Sequence, residues 1–298
     1  MFRNLSENKY KSLKEKKGKY VPTGIDKVDY ALNDLAPALV TLLSGRSNEG
    51  KTTFVRQIIA NAINHNNKCC VINGEGDEEI WINEFYKTVV GRNPEMYKRV
   101  KINKRYYKEP TEEVLKQLEE WHRDKLIINH ADRVMSFNEL FEELVKEIKQ
   151  NKPDLIVIDN LMSLLNASSS EKLTKQAEFV QNCHLIAVKF NLHIVIVVHP
   201  NKEYRKGNKP DFENISGNSD IYNKADNILW VSRDWDNGGG KIYILKSRYF
   251  SEIHEVETAF DEETGLLCEI DNGIAKYYKF NLDNYVPYDE NFKTPFDL

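Results

Sequence analysis

The octapeptide Gly45-Arg46-Ser47-Asn48-Glu49-Gly50-Lys51-Thr52 stands between an apolar run, Leu39-Val40-Thr41-Leu42-Leu43, and a helix-forming stretch from Thr53 to Asn64. Strand, glycine-bearing loop and helix in that order leave few folds open. The glycines let the backbone turn tightly enough for several N–H groups to face one point, and the helix adds its positive end there. Such a cradle suits a chain of phosphates. Lys51 reaches the β and γ oxygens of a nucleoside triphosphate, and Thr52 offers a hydroxyl to Mg²⁺. The predicted contacts with ATP or another NTP are therefore Gly45, Arg46, Ser47, Asn48, Glu49, Gly50, Lys51, Thr52 and Thr53.

Downstream, strand and helix signals alternate. Cys69-Cys70-Val71-Ile72 reads as a strand, a helix starts near Glu78, Leu126-Ile127-Ile128 reads as a short strand, and a helix covers 136–150. Leu155-Ile156-Val157-Ile158, a helix over 171–190 and His193-Ile194-Val195-Ile196-Val197-Val198 follow. That order predicts an α/β fold with a mostly parallel central sheet, and the unbroken apolar strands predict burial on both faces. After His199-Pro200 comes a loop, from Asn201 to about Asn218, too long for an ordinary connection. Asn227–Arg233 and Lys241–Arg248 flank Asp236-Asn237-Gly238-Gly239-Gly240, the signature of a hairpin that extends the sheet in antiparallel fashion.

The chain of 298 residues is 41% hydrophobic, enough for one large domain with a sizeable core. We assign it to residues 21–280. Residues 1–20, rich in lysine, are expected to form a basic arm or inter-subunit helix, and residues 281–298 a flexible tail. With 42 basic and 46 acidic residues the net charge is −4, so any case for nucleic-acid binding rests on local basic loops. Cysteines 69, 70, 183 and 268 lack ligand spacing and are expected to be reduced, buried thiols. No stretch approaches the ~20 apolar residues of a membrane span, and no apolar signal core opens the chain, which points to a cytoplasmic protein without membrane contact.

Three further residues sit where a parallel sheet presents its ligand, beyond strand carboxyl ends. Asp159 follows Ile158 and is a second candidate for Mg²⁺. Glu75, held between Gly74 and Gly76, is placed to deprotonate an attacking water, whereas Asp77 caps the next helix. His199 ends its strand where it can sense a γ-phosphate and pass that state to the loop beyond. In that loop Lys202, Arg205, Lys206 and Lys209 are candidate phosphate contacts for single-stranded DNA, joined by Ser216, Gly217 and Asn218. The 166–172 loop is a weaker second candidate.

As a set these motifs resemble the ring-helicase motor of the DnaB type, with its RecA-like P-loop core, and most closely the branch of bacteriophage primase-helicases and mitochondrial Twinkle. Thr23-Gly24-Ile25-Asp26-Lys27-Val28-Asp29 is similar to that family's lead-in to the first strand, and the stretch from Asp211 to Asp226 to its DNA-loop motif. The resemblance, covering about residues 20–270, implies that Glu75 is the catalytic glutamate, Asp159 the Walker B aspartate and His199 the γ-phosphate sensor. It also implies that Lys246-Ser247-Arg248 is the Lys-x-Arg pair, whose arginine acts as a finger in a neighbouring subunit's site. Tyr249-Phe250-Ser251 follows where family members commonly carry glycine, which leaves the reach of Arg248 open. No zinc-binding or primase module precedes the motifs, as expected of a stand-alone motor, and a viral or plasmid origin is compatible with this.

The expected function is thus an NTP-dependent DNA helicase that assembles as a ring, a homo-hexamer, hydrolyses NTP with Mg²⁺ and translocates on single-stranded DNA during replication. A primase, polymerase or loader would dock on the arm or tail. Two rivals share the motifs: a RecA-like recombinase or other DNA-dependent ATPase, and a non-motor protein that uses nucleotide to assemble.

Overall fold

The computed structural model describes residues 18–74, 76–130, 135–161, 172–201, 204, 209–215, 219–234, 238–249 and 251–276. Its frame is a sheet of ten strands in the order β12-β11-β10-β9-β8-β1-β7-β6-β2-β5. Six of them, β1 (Val40–Ser44), β2 (Cys69–Asn73), β5 (Leu126–His130), β6 (Leu155–Asp159), β7 (His193–Val197) and β8 (Asn227–Arg233), pair in parallel. The other four, β9 (Gly239–Lys246), β10 (Glu255–Asp261), β11 (Leu266–Asp271) and β12 (Ile274–Lys276), add on antiparallel beyond β8.

Burial on both faces explains the apolar runs. Along each central strand alternate side chains enter two separate cores: Leu43, Val71, Val157 and Val197 face one, while Leu42, Ile72, Ile158 and Ile196 face the other. Each fully buried aliphatic side chain is worth about 1.5–3 kcal/mol relative to exposure. The first core is roofed by α2 (Lys51–Asn64), α3 (Glu78–Val90) and α4 (Glu112–His122) through Phe54, Ile58, Phe85 and Leu118. The second is covered by α5 (Phe137–Asn151) and α6 (Lys172–Phe190) through Leu140, Leu144, Phe179 and Cys183. Two short helices, α1 (Asp26–Leu32) and α7 (Ser219–Lys224), flank the sheet.

Local chemistry sets the helix starts. The Asp77 carboxylate accepts from Ile80 N at 3.0 Å, and Ser136 with Glu139 forms a reciprocal capping box at α5. All four cysteines are buried and none forms a disulfide, and burial pushes the Cys70 thiol up to about 12. Among the described residues no helix is long and apolar enough to cross a membrane.

A second sheet was not anticipated from sequence. β3 (Tyr97–Ile102) and β4 (Arg105–Pro110) form an antiparallel hairpin between α3 and α4. Of the predicted arm, residues 1–17 lie outside the described residues, as does the whole of the predicted tail, residues 281–298.

Candidate nucleotide-binding site

Strand β1 lies between β7 and β8, neither adjacent to it in sequence, and the chain leaves it through α2 for β2, three strands away. The loop after β1 therefore opens at a switch in strand order, on the carboxyl edge where open α/β sheets bind ligands. Its shape depends on backbone that side chains would obstruct. Gly45 has φ of 149°, and a Cβ there would lie 2.4 Å from the Val231 carbonyl oxygen of β8. Gly50, at φ 97°, forms the N-cap of α2, and Asn48 also takes a left-handed conformation, at φ 65°. Glu49 closes the turn by accepting from Arg46 N at 2.8 Å. Lys51 is 7% exposed, and its ammonium donates to the carbonyls of Gly45 and Arg46 at 2.8 and 2.9 Å. Those two bonds hold its charge inside the loop mouth.

The neighbouring strand ends complete the floor. Asp159, 2% exposed, ends β6 level with Asn73 of β2, and its carbonyl accepts from Gly74 N at 2.6 Å. That bond brings the peptide preceding Glu75 beside Asp159; Glu75 itself lies outside the described residues. His199 follows β7, and its Nε2 is 2.9 Å from Asn160 Nδ2. A cavity of 480 Å³ joins the phosphate loop to the end of β7, lined by Arg46, Ser47, His199, Pro200, Asn201 and Tyr204. Arg56, one turn past Thr52 on α2, lies under the same floor, with its Nη1 at 4.0 Å from Glu84. Burial lowers its pKa, while Glu84 and Asp159 oppose that shift. Sequence reading missed Arg56 and Asn160; the latter's only signal was its place directly after Asp159.

The long loop is pinned at its root. Pro200 bridges Ile215, Asn201 N donates to Asn214 O at 2.7 Å, and Asn201 Nδ2 to Glu213 O at 2.8 Å. Lys209 pairs with Glu255 at 3.2 Å and remains 68% exposed. Lys202, Arg205, Lys206, Ser216, Gly217 and Asn218 lie outside the described residues, as does most of the 166–172 loop.

Lys246 and Arg248 sit elsewhere. Because β9 runs antiparallel to β8, its end returns to the amino edge of the parallel strands, away from the phosphate loop. There Arg248 N donates to Asn227 Oδ1 at 2.9 Å, and the Arg248 side chain, 69% exposed, has its Nε 4.0 Å from buried Asp226. The Asp226 carboxylate also accepts from Val40 N at 3.0 Å and faces His184 Nδ1 at 2.9 Å. Lys246 Nζ is spent on carbonyls at the end of α7, Tyr222, Asn223 and Ala225, at 3.0, 3.2 and 2.7 Å. Burial lowers its pKa, opposed by Asp226.

Solved structures share this fold. One, described as an ATPase domain, matches with a TM-score of 0.70 at 17% identity, over 84% of this chain and 91% of that one. "The Structure Of A DnaB-Like Replicative Helicase And Its Interactions With Primase" matches with a TM-score of 0.70 at 17% identity; 86% of this chain is covered, and it spans 65% of that one. "Crystal structure of the RadB recombinase" matches with a TM-score of 0.55 at 18% identity, over 82% and 97% of the two chains. No curated protein matches. The likenesses establish a RecA-like core, and the phosphate loop, the Asp159 edge and the Lys246–Arg248 segment all sit on it. Residues 20–267 match the model of the DnaB-like helicase C terminal domain, and the chain belongs to that helicase family.

Proposed function

We propose that residues 21–280 form an NTP-hydrolysing motor that assembles as a ring, a homo-hexamer, translocates on single-stranded DNA and separates duplex during replication. One observation carries the nucleotide reading: the loop at the β1 switch point packs so closely on β8 that a Cβ at Gly45 would meet the Val231 carbonyl oxygen, and the Lys51 ammonium is already held at its mouth. ATP or another NTP would lie there against the residues from Gly45 to Thr53. Thr52 and Asp159 are the donors that would hold Mg²⁺, which when bound neutralises charge on the β and γ phosphates.

In this reading Glu75 takes the proton of the attacking water, and His199, bonded to Asn160 and opening the 201–215 loop, couples the phosphate end to the DNA contacts. Those contacts are Lys202, Arg205, Lys206, Lys209, Ser216, Gly217 and Asn218. Arg248, anchored to the amino edge and exposed, is directed to a neighbouring subunit's γ-phosphate, whereas the three carbonyls on Lys246 give that lysine a supporting part. Residues 1–20 and 281–298 are the segments we assign to a primase, polymerase or loader, and a cytoplasmic setting fits these partners.

Hydrolysis measured with and without oligo-dT, unwinding of a forked duplex, and electron microscopy with a non-hydrolysable nucleotide test the proposal. DNA-stimulated turnover, unwinding and closed rings are expected. Turnover indifferent to DNA, or filaments in place of rings, would contradict it.

A further inference from the structure

The β3–β4 hairpin concentrates charge of one sign in a chain of net charge −4. Between Lys98 and Lys108 it carries Lys98, Arg99, Lys101, Lys104, Arg105 and Lys108 and no acidic residue. Cross-strand register places Arg99 opposite Lys108 and Lys101 opposite Tyr106, so these four share one face with Tyr97. The Arg99 guanidinium lies 4.1 Å from the Tyr106 ring centroid, and Lys101 Nζ is 5.8 Å from it. Tyr106 is 54% exposed. Lys108 pairs with Glu263, and Lys98 with Glu109 at 3.9 Å; among the described residues, no carboxylate pairs with Arg99, Lys101, Lys104 or Arg105.

This arrangement works against stability. An isolated two-stranded hairpin is marginal, and like charges directly opposite destabilise it further. Its base is nevertheless fixed: Tyr97 Oη donates to Gly91 O at 2.7 Å, Thr111 N donates to Met96 O at 2.9 Å, and Met96 is buried. The fold thus holds out, from a firm root, a face of cations around an exposed aromatic ring. Cations spaced along a strand suit successive phosphates, and a ring among them suits an unstacked base.

We infer that this hairpin is a second contact for single-stranded nucleic acid, separate from the loop after His199, with Arg99 and Lys101 on phosphates and Tyr106 stacking on a base. A duplex hides its base faces, so the aromatic component selects the single strand. The inference rests on reading the protein as a motor on DNA.

Fluorescence anisotropy with oligo-dT across a salt series tests it. The double variant Arg99→Ala/Lys101→Ala should flatten the slope of log K against log salt by about 1.4, at roughly 0.7 for each phosphate contact. Tyr106→Ala should weaken binding about tenfold, while Tyr106→Phe keeps the ring and most of the affinity. Hydrolysis without DNA and thermal melting should stay at wild-type levels, showing that the fold is intact. Unchanged affinity and slope in all variants, beside a loss in the Lys202/Arg205/Lys206/Lys209→Ala variant, would overturn the hairpin assignment alone. Losses confined to duplex DNA would overturn the single-strand assignment, and equal losses in Tyr106→Ala and Tyr106→Phe would overturn stacking. A wild-type protein that fails to bind oligo-dT would sink the motor reading and this inference together.

Discussion

Between β8 and β9 the sheet changes from parallel to antiparallel, and the work done by its ends changes with it. On the parallel side every residue of β1, β2, β6 and β7 is buried, and the polar groups collect where these strands stop, at the loop after Ser44, at Asp159 and at His199. On the antiparallel side burial alternates along β9 and β10, and Lys246 and Arg248 lie at the opposite edge. Strand β8 touches both: its Val231 carbonyl presses on Gly45, while Asn227 at its other end holds the backbone of Arg248. One strand therefore separates a phosphate cradle from an exposed arginine by the height of the sheet. Within a single subunit the two are divided, and in the proposed ring they would become complementary edges.

That division can be broken first at the cradle. Lys51→Ala removes the main cation of the loop and should lower hydrolysis on the order of 10³-fold; Glu75→Gln should lower it about 100-fold while nucleotide binding persists. Turnover and nucleotide affinity measured separately distinguish them. Near-normal turnover in Glu75→Gln would remove that residue as the base.

A smaller effect sharpens the contrast at the amino edge, where β1, β7 and β8 are joined by side chains. His193, fully buried, has Nδ1 2.7 Å from Ala36 O and Nε2 2.9 Å from Thr41 Oγ1, and Asn227 Nδ2 donates to the same hydroxyl at 3.1 Å. Burial pushes the imidazole pKa from its ordinary 6.5 down to about 4. The unfolded chain takes up the proton first, so His193 contributes stability above pH 6.5 that is lost as pH falls towards 4, up to about 3 kcal/mol. In urea unfolding, the stability gap between wild type and His193→Gln should shrink over that window. A gap constant from about pH 7.5 to about pH 4.5 would show that the imidazole is not held neutral.

How much was legible follows from burial. Strands covered on both faces announce themselves as unbroken apolar runs, and the proposed site residues Lys51, Asp159 and His199 stand beyond three of them. The β3–β4 hairpin gave no such signal, because only its root, at Tyr97, packs against a core; its Asn103-Lys104 turn, with Asn103 at φ 54°, was the remaining cue. Strands β10 to β12 were overlooked for a related reason, since charged residues such as Glu255 and Glu257 interrupt their apolar pattern. Contacts between distant segments, Asn160 with His199 or Asp226 with Val40, leave no periodic trace in a chain.

In the proposed ring the nucleotide site is finished across a subunit boundary by Arg248. Arg248→Ala should cost on the order of 10³-fold in hydrolysis with nucleotide binding retained. Mixing Arg248→Ala subunits with Lys51→Ala subunits tests the claim directly, because some interfaces then pair an intact arginine with an intact phosphate loop. Two inactive proteins should then regain part of the wild-type hydrolysis when mixed. If subunits exchange freely, wild-type mixtures stay active and no activity returns, the shared site is contradicted, and a cation within the same subunit must take its place.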